Sequence, residues 1–591
     1  MKVNNFGKFF IGVAAFGLAA CSNDEPAPGN QGNNKFEGDY AYITVNLRGA
    51  DNMSRSTTSP GYENDENVGK DNYVQSAHFY FFEDNGAYYA EASVWSDGTV
   101  QPEGSNVEFK SNTQIVLEQI KDRTVPKYLL TVLNQPANFE VGRTLEDTRN
   151  ILLNCLNEDK NFVMSTTSFY ADGYKDGTPY YVTEIEASDF ALEPDGEATP
   201  VEIYVERLAA KVNVDVDSKE LKDQIKFEDG SVGYRLEVTV SGNPNEEIGD
   251  TDAGATEVYV KFANWGLNGT AVNSYLSKNL DGWYNHNFAP FTYAFADWNI
   301  PGDFRSYWAK STVYNQELTE ANFNTAKLTL NVLDTPFGTA NYCNETTNAR
   351  ENIVRTYTGD LGEPKTVVDP EKVTSAFLAA QVVDKNNKPL DLVLYNGVYR
   401  TWDAFKRHLL DQWNLPLYTC ETVGTDNAYN QLDENFFVFE SKGDATGSVV
   451  LAFENPADNN LPIAIKKDGA YIVLDLNKAE DLKQIQDLLD AKQASMARAT
   501  AYNKGWMFYS VPVQHLNATT DPVEGNNINE GAYGVVRNHS YKLTISKIYH
   551  LGNGVFDPDE ALIPTDPDPT YYLASNINIL AWKIVEQQVE L

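Results

Sequence analysis

The sequence predicts a mainly β fold of two sandwich domains with a few inserted helices. The chain has 591 residues, a length that suits two or three domains of ordinary size. It contains 34 Tyr, and Asn and Gly interrupt many short apolar runs, a composition that favours pleated strands joined by turns. Strand patterns also outnumber helical ones along the chain, which favours packed sheets over a helical bundle.

The charge balance excludes one broad class of function. Lys and Arg number 46 against 84 Asp and Glu, a formal net charge of −38. Proteins that bind phosphate backbones or anionic lipid surfaces need clustered cations. We therefore expect no nucleic-acid partner, and no direct attraction to a membrane surface.

The first twenty residues, 1–20, predict a signal peptide. Lys2 and Lys8 precede an apolar stretch of about ten residues, shorter than the roughly 20 residues that span a bilayer as a helix. The stretch ends at Cys21 in the sequence Leu-Ala-Ala-Cys. This ending resembles the box of bacterial lipoproteins, which implies that Cys21 is the lipidated residue and the only membrane attachment.

A strand is predicted directly after a polar tether. Residues 22–39 are mostly polar and acidic with Gly and Pro, as in flexible segments. The next residues alternate between apolar and other types, which is the period of a half-buried strand; the apolar set is Ala41, Ile43, Val45 and Leu47. A polar segment follows as far as residue 72. A strand isolated between two polar segments is either a swapped edge strand or a removable one.

Further strands are predicted in both halves of the chain, with a domain boundary between residues 216 and 217. The first half contains strand patterns at 74–83, 128–133, 201–205 and 208–216, and a helical pattern at 145–156. The second half contains strand patterns at 234–240, 258–262, 328–332, 372–382, 391–398, 436–440 and 535–548, and helical patterns at 401–413 and 479–499. The last two helices are predicted to be insertions that cover a sheet face.

The C-terminal segment, 570–591, predicts one more strand behind a stiff spacer. Three prolines in residues 564–569 disfavour both a helix and a sheet ladder. The apolar residues that follow change parity near Trp582, which predicts a bend or a bulge. The residues expected to pair and pack are Ile577, Ile579, Leu580, Trp582, Ile584, Val585, Val589 and Leu591. Such a terminal strand can reach its own domain or that of a neighbour.

Four segments together resemble the type V pilins of Bacteroidales, in particular the major structural subunits of short fimbriae. They are the lipoprotein box at Cys21, residues 47–50 at the end of the first strand, residues 206–211, and the tail that begins with residues 537–547. The resemblance is specific at these places. Between residues 217 and 531 it extends only to the general class.

The resemblance implies a fold and a mode of assembly. Residues 49–216 and 217–569 would form two transthyretin-like β-sandwich domains, the second with insertions. The chain would be exported as an outer-membrane lipoprotein, and an Arg-specific protease would remove residues 21–48. The vacated groove would accept the C-terminal strand, 570–591, of another copy, and repetition would build a cell-surface fimbria that supports adhesion and biofilm formation. Accessory tip and anchor pilins are the further partners implied.

Arg48 is the predicted cleavage site, and Arg55 is the alternative. Arg48 precedes Gly49 where the strand meets the polar segment, and an extended chain at such a junction suits a protease. Removal of the strand would leave unpaired backbone that can bind an incoming strand by β-augmentation. The chain departs from the family at Gly49, where an alanine would match better.

No motif predicts an enzyme, a cofactor or a metal site. The sequence contains no His-Glu-x-x-His, Gly-x-Ser-x-Gly or phosphate-binding glycine loop. Cys155, Cys343 and Cys420 lack metal-ligand spacing, and the sequence does not decide whether two of them form a disulfide. The alternative function is a fimbrial tip adhesin or a monomeric surface lipoprotein that binds glycans or host proteins. A monomer would keep residues 571–591 in its own sheet.

Overall fold

The fold is mainly β, as predicted, with many strands and short sheets. A computed structural model of the chain describes residues 36, 38–49, 74–95, 110–118, 120, 123–166, 169–170, 179–193, 198, 200–241, 254–280, 304–305, 308–316, 323–324, 328–358, 364–369, 372–423, 426–515, 532–563 and 583–590. Within these residues, no helix combines the length and the apolar character that crossing a bilayer requires.

The first part of the chain builds a nine-stranded sheet. This first part of the chain contains, in order, β1 (Tyr40–Gly49), β2 (Ser76–Phe82), β3 (Tyr88–Trp95), β4 (Lys110–Glu118), β5 (Tyr128–Leu133), α1 (Leu145–Arg149), β6 (Leu152–Leu153), β7 (Met164–Thr166), β8 (Phe169–Tyr170), β9 (Pro179–Tyr180), β10 (Thr183–Glu184), β11 (Phe190–Ala191) and β12 (Val201–Arg207). The strand order is β11-β1-β12-β7-β5-β2-β3, with β4 beside β1 and β10 beside β5. Alternate residues of these strands, such as Phe79, Leu129 and Ile203, are fully buried in one core.

The second part begins with two more sheets that share a second core. Its first elements are β13 (Ala209–Val216), β14 (Gln224–Lys226), β15 (Val232–Ser241), β16 (Gly254–Asn268), β17 (Thr270–Ala271), β18 (Ser274–Tyr275), β19 (Phe304–Arg305), β20 (Phe323–Asn324), β21 (Thr335–Pro336), β22 (Ala340–Asn344), α2 (Arg350–Ile353), β23 (Val354–Thr358), β24 (Pro364–Val368), β25 (Ser375–Val383), β26 (Leu392–Tyr395) and β27 (Val398–Thr401).

An inserted unit follows, and the last strands of the second part come after it. The elements are α3 (Trp402–Trp413), β28 (Leu417–Val423), β29 (Asp426–Gln431), β30 (Phe437–Ser441), β31 (Val449–Phe453), β32 (Ile463–Lys467), β33 (Ala470–Val473), α4 (Ala479–Gln493), β34 (Thr500–Tyr502), β35 (Trp506–Pro512), β36 (His539–Lys547), β37 (Asn553–Gly554) and β38 (Lys583–Glu590).

The second core lies between a ten-stranded and a four-stranded sheet. The ten-stranded sheet has the order β34-β26-β27-β15-β16-β25-β35-β37, with β14 beside β15 and β21 beside β16. The four-stranded sheet has the order β22-β13-β36-β38. Leu236 and Leu378 from the first sheet and Val212 and Leu543 from the second are buried in one hydrophobic cluster. Two sheets that bury apolar faces against each other form a sandwich.

The chain passes from the first core to the second at residues 208–210. Leu208 and Ala209 belong to the first core, whereas Ala210 belongs to the second. The whole of β13 pairs with β22 and β36 in the second part. The predicted boundary after residue 216 therefore falls one strand past the point at which the chain changes sheets.

The inserted unit, residues 402–499, has a core of its own. Phe405 and Leu409 of α3 pack there with Ile485 and Leu489 of α4 and with the strands between them. Its two ends are held by β26, since Thr401 pairs with Leu392 and Thr500 pairs with Leu394. Helices were predicted at both of its ends; α3 agrees with the prediction, and α4 ends at Gln493 rather than at residue 499.

Three sequence-based elements need correction. The helix predicted at 145–156 ends at Arg149, and residues 152–153 form β6, which pairs with β18. The strand predicted at 328–332 is wrong: residues 330–332 form a 3-10 helix, and Val332 is 53% exposed. The single strand predicted at 391–398 is a hairpin of β26 and β27, because Asn396 and Gly397 form the turn at φ of 49° and 74°.

Candidate functional site

The first strand lies inside the nine-stranded sheet. Along one edge, β1 pairs antiparallel with β4 from Tyr40↔Glu118 to Arg48↔Lys110. The other edge is shared by β11, antiparallel at Tyr42 and Ile43, and by β12, parallel from Val45↔Val201 to Gly49↔Val205. Both ladders of β1 are therefore used, and its removal would leave two unpaired strand edges facing each other.

The side chains of β1 follow the predicted alternation. Ala41, Ile43 and Val45 are all 0% exposed and belong to the first core. Tyr40, of opposite parity, is 47% exposed. Leu47 has the parity of the buried set, but its side chain lies outside the described part. The strand thus supplies three fully buried residues to the first core.

A further anchor precedes β1, in the segment that the sequence predicts to be a flexible tether. Phe36 is buried, and its ring meets the ring of Phe190 edge-on at a centroid distance of 5.6 Å. Its backbone N–H donates to the carbonyl oxygen of Arg123 at 3.1 Å. Sequence reasoning missed this contact, because a lone aromatic among polar residues has no periodicity to mark it.

The predicted cleavage site lies at the end of the paired strand. The backbones of Arg48 and Gly49 still pair with β12, and Arg48 also pairs with Lys110 of β4. A protease needs the scissile segment extended and separated from its neighbours. The last pairs of β1 must therefore open before the Arg48–Gly49 bond can be cut. The alternative site, Arg55, lies outside the described residues, as does Cys21.

The C-terminal strand pairs with its own chain. β38 lies at the edge of the four-stranded sheet, parallel to β36, with Ile584↔Ser540, Val585↔Tyr541 and Val589↔Ile545 in register. The other predicted tail residues lie outside the described part; they are Ile577, Ile579, Leu580, Trp582 and Leu591. The bend predicted near Trp582 is therefore still a prediction.

Two of the segments that carry the family resemblance meet at the junction of the two cores. Arg207 donates to the side-chain oxygen of Asn538 at 2.9 Å. Arg537, with a fully buried side chain, forms an ion pair with Glu345 at 3.1 Å and donates to the carbonyl of Tyr275 at 2.7 Å. These sequence-distant residues, 331 positions apart in the first pair, cannot be paired by local patterns.

A second buried ion pair lies at the same junction. The ammonium of Lys278 is 3.0 Å from a carboxylate oxygen of Glu206, and both side chains are at most 1% exposed. Buried pairs of this kind fix geometry more than they add stability, since each ion has lost its water. The junction is therefore structural: its charges bind each other and backbone carbonyls.

The titratable groups in the described part of the chain form no candidate metal centre. No group of three or more His, Cys, Asp or Glu side chains is placed there to hold a metal ion. Cys155, Cys343 and Cys420 are free and buried. Burial raises the pKa of the Cys155 thiol to about 12, so it is a poor nucleophile at neutral pH. Cys155 belongs to the first core and Cys343 to the second.

One family model matches the C-terminal part of the chain. Residues 500–588 match the family described as "Major fimbrial subunit protein type IV, Fimbrillin, C-terminal". The match extends from β34 into β38 and includes the residues 537–547 that carry part of the pilin resemblance. It confirms the resemblance to fimbrial subunits in this part of the chain. No curated protein matches the chain significantly.

Comparison with solved structures gives matches to three fimbrial proteins, among others. The tip fimbrial protein Mfa3 from Porphyromonas gingivalis, with C-terminal truncation, is 10% identical, with 67% of this chain and 99% of that chain covered and a TM-score of 0.25. The fimbrial anchor protein Mfa2 from the same organism is 10% identical, with 61% and 94% covered and a TM-score of 0.18. A fimbrial assembly protein from Parabacteroides distasonis is 11% identical, with 70% and 97% covered and a TM-score of 0.25. These likenesses are too distant to support an argument about function.

Proposed function

We propose that this chain is a polymerising structural subunit of a cell-surface fimbria. It is exported as a lipoprotein on Cys21, is cut after Arg48 by an Arg-specific protease, and joins other copies by strand exchange. The observation that carries the proposal is the position of β1: a core strand with two ladders, joined by a polar segment to the rest of its domain. Its loss opens a slot of defined length between β4 and β12.

An incoming strand can form more backbone hydrogen bonds and bury more apolar side chains in the slot than at the edge position that β38 occupies. In the slot both ladders are available, and each backbone hydrogen bond contributes about 1 kcal/mol net. The cavities of Ala41, Ile43 and Val45 also need filling, and each larger apolar side chain buried there adds roughly 1.5–3 kcal/mol. At the edge of its own sheet β38 has one described partner, β36. Exchange into the slot of a cleaved copy is therefore favourable before the entropy of association is subtracted.

The contact is heterologous, because a slot in the first part of one copy receives a tail from the second part of another. Heterologous contacts that do not close into a ring produce filaments. The copies thus form a fimbria on the cell surface, with accessory pilins at its tip and anchor, and support adhesion and biofilm formation. The lipid on Cys21 attaches only the precursor to the outer membrane, since cleavage removes it.

N-terminal sequencing of the surface form tests the processing step. We expect the sequence to begin at Gly49, and we expect Arg48→Gln to leave an acylated precursor without polymer. The matched control is Arg55→Gln, which should process and polymerise normally. A mature N-terminus at Ser56, with Arg48→Gln unaffected, would move the cleavage site to Arg55; an intact acylated Cys21 in all surface protein would reject processing.

Deletion of residues 571–591 tests the donor role of the tail. Unheated surface extracts of the wild type should give a ladder of high-mass species on gels, and the deletion should leave only monomer. The monomer must still be cleaved, which N-terminal sequencing checks. A ladder that survives the deletion would contradict strand donation by this segment.

One observation favours a second candidate, a monomeric surface lipoprotein or tip adhesin that binds glycans or host proteins. β38 pairs with β36 of the same chain, as a protein that completes its own sheet would do. The two candidates differ in the native surface protein: a monomer keeps this pairing and needs no cleavage, whereas a subunit exchanges it. The sequencing experiment above therefore distinguishes them.

A further inference from the structure

We propose that the slot accepts an incoming tail in one register, in which Tyr572 of a second copy replaces Phe36. This inference rests on the proposed strand exchange and adds the register in which the incoming strand binds. Cleavage after Arg48 removes Phe36 together with all of β1 except its last residue, Gly49. The slot then consists of a strand-shaped groove and, at one end, a separate cavity that an aromatic ring had filled.

The Phe36 cavity is built by described residues of the first core. The ring of Phe190 meets Phe36 edge-on at 5.6 Å, an arrangement that favours an aromatic occupant over an aliphatic one. The carbonyl of Arg123 accepts the N–H of residue 36 at 3.1 Å, so the incoming backbone has a hydrogen-bond partner there. The Arg123 side chain is held in place, since its guanidinium lies 3.6 Å from the ring centroid of Tyr89.

The buried positions of the removed segment form a spacing that a donor must reproduce. Phe36, Ala41, Ile43 and Val45 are buried, so the template is an aromatic residue followed by apolar residues five, seven and nine positions later. With Tyr572 in the place of Phe36, the three apolar positions are filled by Ile577, Ile579 and Ala581. These three side chains have nearly the same total volume as those they replace.

Other registers of the tail satisfy the spacing less well. Starting at Trp582 places Gln587 at the first apolar position, and starting at Tyr571 places Asn576 and Asn578 at the first two. Reversing the strand direction from Trp582 places Ser575 at the second position. A buried Gln, Asn or Ser without partners is costly. The Tyr572 register also places Asn576 where Tyr40 is 47% exposed.

The register fixes the direction and extent of the donated strand. Residues 576–584 would take the places of Tyr40–Arg48, parallel to β12 and antiparallel to β4. They span the slot, with Lys583 at the place of Leu47 near its end, and the proline spacer at 564–569 leaves at the Phe36 end. Residues 585–591 extend past the slot.

Substitution of the aromatic residue tests the cavity. Tyr572→Ala should lower the polymer fraction in unheated surface extracts by about tenfold or more, because a cavity replaces a buried ring. Tyr572→Phe should polymerise like the wild type, and Trp582→Ala should have a smaller effect than Tyr572→Ala. Normal polymer from Tyr572→Ala, with wild-type ladders present, would overturn the register and leave strand exchange intact.

Cysteine cross-linking reads the register directly. Tyr42 pairs with Val116 of β4, so Asn578→Cys combined with Val116→Cys should give ladders that resist heating and collapse on reduction. The Trp582 register predicts cross-linking from Gln588→Cys instead, and the reversed strand predicts it from Asn576→Cys. Val116→Cys alone is the background control. Cross-linking of either alternative pair in place of Asn578→Cys would overturn the proposal, whereas absence of any polymer in the wild type would reject strand exchange itself.

Discussion

Arg537 is a buried cation that holds the junction of the two cores. Its guanidinium binds Glu345 and the carbonyls of Tyr275 and Leu276, and its side chain is 0% exposed. Removing one member of a buried ion pair leaves the other charge buried without a partner and without water. The role is positional, because all of these partners belong to the protein itself.

Arg537→Met is therefore expected to destabilise the protein by about 3–5 kcal/mol, since it leaves Glu345 buried and unpaired. Equilibrium unfolding in urea measures the loss as a lower midpoint. Arg235→Met is the matched control, because Arg235 forms its ion pairs with Glu237 and Glu257 at the surface, and it should shift the midpoint little. Equal effects of the two substitutions would contradict the account of the junction.

His78 makes the stability of the first core depend on pH. Burial lowers the pKa of His78 from 6.5 to about 4, because the charged form is poorly solvated in the sheet. The unfolded chain binds a proton near pH 6.5 and the folded chain only near pH 4, so stability falls as the pH falls through this window. His78→Gln should reduce the slope of unfolding free energy against pH between these values. An unchanged slope would show that His78 is not the group responsible.

At the level of residues, the sequence predicts the alternating set of β1 and misses Phe36. Ala41, Ile43 and Val45 are identified because strand alternation marks one face. Phe36 and Arg537 gain their roles from partners distant in sequence, Phe190 and Glu345, which local patterns do not encode. The pairing of β38 with β36 is likewise a tertiary choice that the tail sequence leaves open.

At the level of elements, helix α4 packs one face against the core of the inserted unit and exposes the other. Leu489 of α4 is fully buried, whereas Leu482 on the same helix is 41% exposed. Leu489→Ala should destabilise the unit by about 2–5 kcal/mol through the cavity it leaves. Leu482→Ala is the control and should cost much less. Hydrogen exchange within residues 402–499 measures both, and equal protection in the two variants would contradict this packing.

Some element boundaries differ from the sequence predictions because turn residues decide where a strand ends. The Asn396–Gly397 pair between apolar runs is a hairpin signal, and both residues adopt positive φ. The alternation of apolar residues alone predicts one strand at 391–398, because it does not mark the turn. At residues 328–332 the backbone forms a 3-10 helix instead of a strand. Leu328 and Leu330 still pack against a cluster that includes Phe377 of the ten-stranded sheet, whereas Val332 is exposed.

At the level of the whole molecule, charge is expected to keep polymers apart. Residues 1–48 carry four cations and four anions, so the proposed cleavage after Arg48 would leave the net charge at −38. Repulsion acts over about 8 Å at 0.15 M salt and about 3 Å at 1 M. We expect side-by-side bundling of purified polymers to increase with salt, as light scattering and electron microscopy would record. Bundling that is strongest at low salt would contradict this expectation.

The slot and the tail are connected through continuous backbone. β12 forms one side of the slot, and β13, which follows it after Leu208, pairs with β36, the partner of β38. The buried ion pairs at Glu206 and Arg537 lie along this route. In a polymer, load between successive subunits would therefore pass through paired strands and a junction of buried charges.

Cryo-electron microscopy of the surface polymer tests the strand exchange most directly, at the slot between β4 and β12. Strand exchange predicts density for a strand that traces to the C-terminus of the neighbouring subunit, with residues 36–48 gone and β38 released from β36. A slot still filled by Tyr40–Gly49 of the same chain, with β38 still paired to β36, would contradict it.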